Sequence, residues 1–253
     1  MRHTSADQLD LNQQQMKQLR EKLTGLQGGR VLDFGAGDGR SVRLLSENLA
    51  SFESITGVDV KNPADCIEQD LLDREGLIWR QIEDGPLQFP DESFDLVSIS
   101  CTLHHLKREK IEETLQDLKR VLKKGGLFIL SEMFQDDQSP QQLNQVAFHH
   151  LIGEFDRFNG IDHYPTFFRR ELLELIKGLE LHKVEIVDCL DEWKNPKTPE
   201  DFAKIGRRLA EELVRIEDQD AHERFRLKAE QIQQKIRETG FIHATRLTMI
   251  GTK

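Results

Sequence analysis

The chain alternates short apolar runs with longer segments in which apolar residues recur every three or four positions. Short β-branched runs bounded by turn residues are typical of buried strands, and the longer spacing is typical of amphipathic helices. The pattern predicts strands at 31–34, 55–60, 77–82, 94–100, 127–130, 184–188 and 240–251. Because strands that alternate with helices need crossover connections, we expect a doubly wound α/β fold with a mostly parallel sheet.

Two segments interrupt this alternation. Residues 136–165 contain a helix that Ser139 and Pro140 should start as N-cap and first helical residue, followed by a loop from Gly153 to Tyr164 with aromatic and polar residues. Residues 191–239 are rich in charge and carry two amphipathic helices that we expect to pair. The whole chain, 1–253, is therefore expected to be a single domain with two helical insertions.

The first insertion is a candidate lid. It follows the fifth predicted strand, at the edge of the sheet where loops carry specificity. A helix is also predicted over residues 16–26, where leucines recur at helical spacing until a pair of glycines. We expect these two segments to cover the substrate together.

The first predicted strand runs into a glycine-rich turn. Gly35, Gly37 and Gly39 lie between this strand and the next helix, with Asp33 just ahead of them. Glycine lets the backbone adopt positive φ and lets a ligand approach where a Cβ would collide, while the following helix offers free N–H groups. The turn is therefore predicted to hold part of an anionic or polar cofactor.

An acid ends the second predicted strand. Asp59 lies 20 residues after Gly39, and Glu83 and Asp84 follow the third strand in the same way. In a doubly wound sheet, an acid at the end of the second strand faces the crevice above the glycine turn and can accept hydrogen bonds from both hydroxyls of a ribose. The pattern predicts a cofactor that contains a ribose.

Composition narrows the range of partners. The 45 acidic and 35 basic residues give a net charge of −10, which disfavours nucleic acid because its binding rests on clustered Lys and Arg. The three cysteines are widely spaced and form no CxxC pair, so they indicate neither a disulfide framework nor a zinc site. No apolar run has the length of a signal peptide or a membrane span. We expect a cytoplasmic monomer or homodimer that acts on a small molecule and binds no nucleic acid or membrane.

Five segments together resemble a known family. They are DFGAGDG at 33–39, GVD at 57–59, FPDESFDLV at 89–97, LHHL at 103–106 and LKRVLKKGG at 118–126. In this order they are similar to the successive motifs of the class I S-adenosylmethionine-dependent methyltransferases, especially the small-molecule branch that includes ubiquinone-biosynthesis C-methyltransferases. The likeness covers residues 30 to about 132 and returns near residues 184 and 241.

This resemblance implies a Rossmann-like methyltransferase fold with seven strands in the order 3-2-1-4-5-7-6, the last strand antiparallel. It implies S-adenosylmethionine as cofactor and S-adenosylhomocysteine as product. The glycine turn would face the methionine part of the cofactor, and Asp59 would face the ribose. The family usually has Asp-Ala after the third strand, whereas this chain has Glu83-Asp84-Gly85, so either Glu83 or Asp84 would contact adenine. The cofactor-binding residues expected are Asp33, Gly35, Ala36, Gly37, Gly39, Asp59, Val60, Glu83, Asp84 and Ser100.

Histidines after the fourth strand are the candidate catalytic residues. His104 and His105 stand where an acceptor would lie, and an oxygen or carbon acceptor usually needs a base. The alternative is a structural turn whose histidines bond to nearby backbone. The candidates for substrate contact are Glu132, His149, His150, His163 and Tyr164. No carboxylate cluster indicates a metal, so no metal is expected, and the choice between oxygen, nitrogen and carbon methylation stays open.

Two other functions use similar sequence features. An NAD- or FAD-dependent oxidoreductase also needs a glycine turn and a ribose-binding acid, but it expects G-x-G-x-x-G where this chain has G-x-G-x-G. A non-catalytic cofactor-binding or interaction module would use residues 191–239 as a partner surface. The spacing favours a methyltransferase that transfers a methyl group to a small molecule by in-line displacement.

Overall fold

The computed structural model describes residues 23–190, 195–196 and 198–253. The helix predicted over residues 16–26 lies mostly outside the described residues. Its described end includes Leu23, which is buried against the sheet core together with Val31 and Leu49. The part that this helix was expected to play in a lid therefore stays a prediction.

The described residues form a single seven-stranded sheet. The strands are β1 (Arg30–Phe34), β2 (Ser54–Asp59), β3 (Leu77–Gln81), β4 (Phe94–Ser100), β5 (Leu122–Met133), β6 (His182–Cys189) and β7 (Arg246–Thr252). Their spatial order is β3-β2-β1-β4-β5-β7-β6. β1 to β5 pair in parallel, and β7 runs antiparallel to both β5 and β6. The predicted fold class, strand order and antiparallel last strand are confirmed.

The last strand begins later than predicted. β7 starts at Arg246, whereas the alternating pattern placed a strand over 240–251. The amides of His243, Ala244 and Thr245 donate to side-chain oxygens of residues in the two insertions, at 2.7, 3.2 and 3.0 Å. The sequence prediction was wrong here because these amides pair with side chains instead of a neighbouring strand.

Helices cover both faces of the sheet. They are α1 (Arg40–Asn48), α2 (Pro63–Cys66), α3 (Gln69–Leu72), α4 (Ile111–Val121), α5 (Pro140–Phe158), α6 (Arg169–Gly178), α7 (Pro199–Val214) and α8 (Gln219–Thr239). Ser139 caps α5 in a capping box with Gln142, as its sequence predicts. However, α5 continues through Phe158, so the loop predicted from residue 153 begins only after the helix ends. None of the helices in the described ranges is both long and apolar enough to span a bilayer.

The two insertions pack against each other. Leu151 and Phe155 of α5 contact Leu209 of α7 and Phe225 of α8 in a hydrophobic cluster separate from the two that line the sheet. The Phe155 and Phe225 rings stack with their centroids 4.6 Å apart. The expected pair of helices in residues 191–239 is therefore joined by α5, which gives that helix a fixed support beside the sheet.

Candidate active site

The glycine turn has the backbone conformation that its sequence predicts. Gly35, Gly37 and Gly39 have φ values of +72°, +52° and +82°, where L side chains are strained. The amides of Gly35 and Ala36 donate to the Val58 carbonyl at 2.8 and 3.0 Å, which fixes the turn against β2. Gly39 precedes α1, so the turn leads directly into the first turn of this helix, whose amides have no partner within the helix itself.

The three glycines have different surroundings. A Cβ on Gly35 would lie 2.2 Å from Thr102, and one on Gly39 would lie 2.5 Å from Leu71. A Cβ on Gly37 would have the Gly35 carbonyl oxygen as its nearest neighbour, at 4.0 Å. Close packing therefore explains Gly35 and Gly39, whereas Gly37 borders open space in which a ligand has room.

Asp59 lies beside this opening at the end of β2. Its Oδ2 accepts from the Gly37 amide at 2.8 Å, and its Oδ1 accepts from the Lys61 amide at 2.9 Å. Each carboxylate oxygen keeps a further lone pair for a ligand hydroxyl. The Ile82 amide donates to the Asp59 carbonyl at 2.9 Å, which places the exposed Glu83 and Asp84 next along the same edge.

Asp33 is a buried carboxylate beneath the turn. The Ser41 hydroxyl donates to Oδ2, while Oδ1 has no hydrogen-bond partner among the described residues. Burial raises the pKa of Asp33 to about 6; the hydroxyls of Ser41 and Ser98 oppose this shift, and the charge of Asp59 adds to it. A cation or an N–H group placed near Oδ1 would stabilise the carboxylate.

The remaining predicted cofactor residues lie at the same edge. Ala36 is buried in the turn, and Val60 is 58% exposed just after β2. Ser100 ends β4, and its carbonyl accepts from the Thr102 hydroxyl at 3.0 Å. Thr102 also contacts the turn, because its hydroxyl donates to the Gly35 carbonyl at 3.3 Å. Thr102 was not predicted, and a lone threonine after a strand gives no sequence signal for this contact.

A second buried carboxylate lies under the predicted catalytic pair. Glu132 of β5 accepts from the Leu103 amide at 3.0 Å, from the Met133 amide at 2.8 Å and from His104 Nδ1 at 2.9 Å. Burial alone would raise the pKa of Glu132, but the charge and hydrogen bond of His104 and the Met133 amide outweigh it, so the pKa is lowered. Glu132, which the sequence offers as a candidate for substrate contact, holds the turn that carries His104.

His104 belongs to a larger group of rings, which we call the histidine cluster: His104, His105, His149 and His163. Ring centroids lie 4.4 Å apart for His104 and His105, 4.8 Å for His104 and His149, and 4.7 Å for His149 and His163. Residues from a turn, a helix and a loop thus meet beside the cofactor edge. The structure brings together four histidines that the sequence offered only as separate candidates.

Each ring of this cluster is oriented by a neighbour. His163 Nδ1 lies 2.6 Å from Asp156 Oδ2, and His163 Nε2 lies 3.1 Å from His149 Nε2. His105 Nδ1 lies 3.1 Å from the Asp162 carbonyl oxygen. Asp156 was missed because the sequence placed it in a loop, whereas it lies inside α5 on the turn after Gly153, whose missing Cβ leaves room for the His163 ring.

Two rings of the cluster, His105 and His149, favour the neutral imidazole form. Burial, together with the charges of His104 and His163, lowers the pKa of His149 to about 2. Loss of hydration also lowers the pKa of His105 to about 4, with the same two neighbours contributing. A neutral imidazole carries a ring lone pair, so these two histidines can accept a proton or bind a cation at neutral pH.

The other two predicted substrate residues lie at the margin of the cluster. His150 Nε2 lies 3.0 Å from the Thr166 hydroxyl oxygen and accepts from the Thr166 amide at 3.1 Å. Burial lowers the pKa of His150. The Tyr164 hydroxyl donates to Asp162 Oδ1 at 2.7 Å, and the Tyr164 amide donates to the His104 carbonyl at 2.7 Å. These contacts tie the loop after α5 to the turn after β4.

Comparison with known proteins agrees with this geometry. Residues 32–130 match a protein family described as a methyltransferase domain. A demethylmenaquinone methyltransferase from Tropheryma whipplei is 34% identical over 113 residues, which are 44% of this chain and 45% of that protein. A phosphatidylethanolamine N-methyltransferase from Cereibacter sphaeroides is 32% identical over 117 residues, which are 45% of this chain and 55% of that protein. The chain spans about half the length of these curated relatives.

A solved structure has the same fold. It is phosphoethanolamine N-methyltransferase 2 from Haemonchus contortus, in complex with S-adenosyl-L-methionine, with a TM-score of 0.55 and 16% identity over 95% of this chain and 52% of that chain. At this identity the likeness concerns the fold alone. The matched segment 32–130 contains the glycine turn, Asp59 and His104, and it lies in a sheet with the strand order that the family resemblance implies. Residues 32–130 therefore form a methyltransferase domain, and the described sheet has the strand order of the class I S-adenosylmethionine-dependent methyltransferase fold.

Proposed function

We propose that this protein transfers a methyl group from S-adenosylmethionine to a small organic acceptor that binds beside the histidine cluster. The main support for this proposal is the opening at Gly37, where an added Cβ would have no neighbouring atom closer than 4.0 Å. The Asp59 carboxylate lies beside this opening and accepts from the Gly37 amide. The open turn and the neighbouring carboxylate are the features that this cofactor requires.

The residues of the crevice fit the parts of the cofactor. Asp59 has lone pairs for the two ribose hydroxyls, and Gly37 leaves space for the methionine part to approach the backbone. Asp33 Oδ1, which lacks a hydrogen-bond partner among the described residues, favours a positively charged ligand above the turn. Val60 offers an exposed apolar surface for adenine, and Glu83 or Asp84 would accept from its amino group.

The chain itself contributes positioning and a base. When bound, the cofactor supplies an electrophilic methyl group on a sulfonium centre. Alignment of the acceptor and exclusion of water can contribute roughly 7 to 11 kcal/mol to the lowering of the barrier. Glu132 accepts from His104 Nδ1 and so leaves Nε2 free to take the proton that an oxygen or carbon acceptor releases. Glu132 acts here as a positioning residue.

An NAD- or FAD-dependent oxidoreductase and a non-catalytic module would differ from a methyltransferase in the ligands that they bind or turn over. Calorimetry with S-adenosylhomocysteine, S-adenosylmethionine and NAD should show one-to-one binding of the first two and no competition by NAD. Turnover is then measured by mass spectrometry on a panel of phenols, quinols and amines. Tight NAD binding without a response to S-adenosylhomocysteine would overturn the proposal, and cofactor binding without turnover of any acceptor would favour a non-catalytic module.

We further propose that residues 136–165 act as a substrate lid. The loop after α5 is tied to the turn after β4 by the Tyr164 amide and by Arg108, which donates to the Pro165 carbonyl at 2.9 Å. Opening of the lid would need these contacts to break. Hydrogen exchange in this segment should slow when S-adenosylhomocysteine binds, and unchanged exchange would argue against a lid.

A further inference from the structure

The histidine cluster has a feature that proton transfer alone does not require. His104, His105 and His163 each offer a ring nitrogen, and these three nitrogens all lie within 4.8 Å of one another. We propose that the three residues form a binding site for a divalent first-row transition metal ion such as Zn²⁺. The sequence-based expectation of no metal considered carboxylates and not histidines from distant segments.

Hydrogen bonds fix which nitrogen of each ring is free. The Asp162 carbonyl can only accept, so His105 Nδ1 must carry the proton that it donates. His104 Nδ1 and His163 Nδ1 face the carboxylates of Glu132 and Asp156 and donate in the same way. In the neutral rings the lone pair is then on Nε2 in all three cases. Three neutral imidazole nitrogens are a common ligand set for zinc, copper, iron and nickel.

The surrounding residues are those that metal-bound histidines usually have. Metal-bound histidines almost always donate their second N–H to a carboxylate or a backbone carbonyl, which fixes the ring and strengthens the ligand. Here Glu132, Asp156 and the Asp162 carbonyl fill that position for the three rings. The two carboxylates also offset the charge that a divalent cation would bring into a largely buried site.

The distances require a small closure. Tetrahedral zinc with N–Zn bonds of about 2.1 Å has ligand nitrogens roughly 3.4 Å apart, so ring nitrogens that lie within 4.8 Å of one another would close by roughly 1.4 Å at most. Two of the three rings, His104 and His163, are buried and held by carboxylates, and His105 is the more exposed one that can turn. His149 would move away from His163 Nε2, because the metal takes the lone pair that it now contacts.

Three protein ligands leave an open coordination position. If the proposed function is right, an oxygen of the methyl acceptor would bind there, near the turn whose Thr102 contacts Gly35. The acceptor would then be a molecule with a hydroxyl, enol or carboxylate group close to the methylated atom. This assignment of the acceptor rests on the proposed function, whereas the metal site itself does not.

The test uses metal binding to the full chain. Protein treated with a chelator and dialysed is titrated with Co²⁺ and followed by the visible d–d bands of tetrahedral cobalt, and Zn²⁺ binding is measured by calorimetry. One ion per chain is expected. Failure of Zn²⁺ and Co²⁺ to bind at one equivalent would overturn the inference.

Variants separate a built site from adventitious binding. His105→Gln should weaken Co²⁺ binding at least tenfold, and Asp156→Asn, which alters only the support of His163, should weaken it about 10- to 100-fold. His182→Gln, at an exposed histidine that begins β6, is the matched control and should leave binding unchanged. Equal affinities for the parent and His105→Gln would overturn the inference. Circular dichroism and thermal melts verify that each variant is folded.

Binding of S-adenosylhomocysteine keeps this test independent of the proposed function. His105→Gln should bind S-adenosylhomocysteine as the parent does, because the glycine turn and Asp59 are intact. A chain that binds Co²⁺ but not S-adenosylhomocysteine would refute the proposed function and support the metal site. A chain that binds S-adenosylhomocysteine but no metal would refute the metal site and support the proposed function.

Discussion

A fully buried carboxylate lies beside the glycine turn and another lies beside the histidine cluster. These two residues, Asp33 and Glu132, differ in their hydrogen-bond partners. Asp33 accepts from the Ser41 hydroxyl through one oxygen, while its other oxygen has no partner among the described residues. Glu132 accepts from two backbone amides and from His104. Burial raises the pKa of Asp33, whereas at Glu132 the hydrogen-bond donors outweigh burial and lower the pKa.

One carboxylate thus has an oxygen without a hydrogen-bond partner among the described residues, whereas both oxygens of the other accept hydrogen bonds from the protein. A buried carboxylate is costly unless donors surround it, and Glu132 has its donors from the protein itself. The missing donors at Asp33 would come from a bound ligand. We therefore expect changes at Glu132 to affect stability, and changes around Asp33 and Asp59 to affect cofactor binding.

The largest effect is expected from Glu132→Ala. This change leaves the Leu103 and Met133 amides and His104 Nδ1 without their acceptor, and breaking a buried pair in this way costs about 3 to 5 kcal/mol. The free energy of unfolding is measured by urea denaturation at neutral pH. Asp33→Ala is the matched control and should cost less, because it removes the acceptor of the Ser41 hydroxyl rather than that of two backbone amides and a histidine. Equal costs would remove the distinction between the two carboxylates.

The next effect is on cofactor affinity. Asp59→Ala should lower the affinity for S-adenosylhomocysteine by roughly a hundredfold or more, since two hydrogen bonds to an ionised acceptor are lost, each worth about 1.5 to 3 kcal/mol. Asp59→Asn keeps one acceptor oxygen and should be intermediate. Because Asp59 also accepts from the Gly37 amide, the alanine variant should lose some stability while remaining folded. Calorimetry showing parental affinity in a folded Asp59→Ala protein would exclude the ribose role.

The sequence predicted the arrangement of the glycine turn better than that of the histidine cluster, and the reason is physical. The glycine turn and Asp59 lie within 30 residues of one another and are held mostly by backbone bonds, so their spacing alone carries the geometry. The histidine cluster joins residues 104, 149 and 163, which come from a turn, a helix and a loop and meet through the packing of α5 in the folded protein. Patterns along the chain do not encode that packing, and for this reason the contacts of Glu132 with His104 and of Asp156 with His163 were missed.

Asp33→Asn should change the dependence of stability on pH. In the unfolded chain Asp33 titrates near pH 3.8, while in the folded protein its pKa is raised to about 6. The unfolded state therefore releases this proton first, and stability is lost as the pH rises through this range and stays lower above it. The asparagine side chain does not titrate, so the variant does not lose this stability. Relative to the parent, its free energy of unfolding should rise by at most about 3 kcal/mol as the pH increases from about 4 to about 7.

Urea denaturation of both proteins across this pH range measures the difference. The amide oxygen of the asparagine side chain would still accept from the Ser41 hydroxyl, so the comparison isolates the charge. A constant difference between the two proteins at all pH values would mean that Asp33 titrates normally, and the contrast with Glu132 would then have another cause.

The smallest effect is expected from Gly37→Ala. The added Cβ meets no atom closer than 4.0 Å, so the cost to stability is the strain of an L residue at φ +52°, about 1 to 2 kcal/mol. Gly125→Ala is a matched control, because Gly125 has φ +75° with nothing within 4 Å of its added Cβ and lies at the opposite end of the sheet, in the first half of β5. Both variants should lose similar stability, but only Gly37→Ala should weaken S-adenosylhomocysteine binding, by about tenfold, since its methyl group occupies space that the cofactor needs. Equal cofactor affinities in the two variants would show that the opening at Gly37 is not where the cofactor lies.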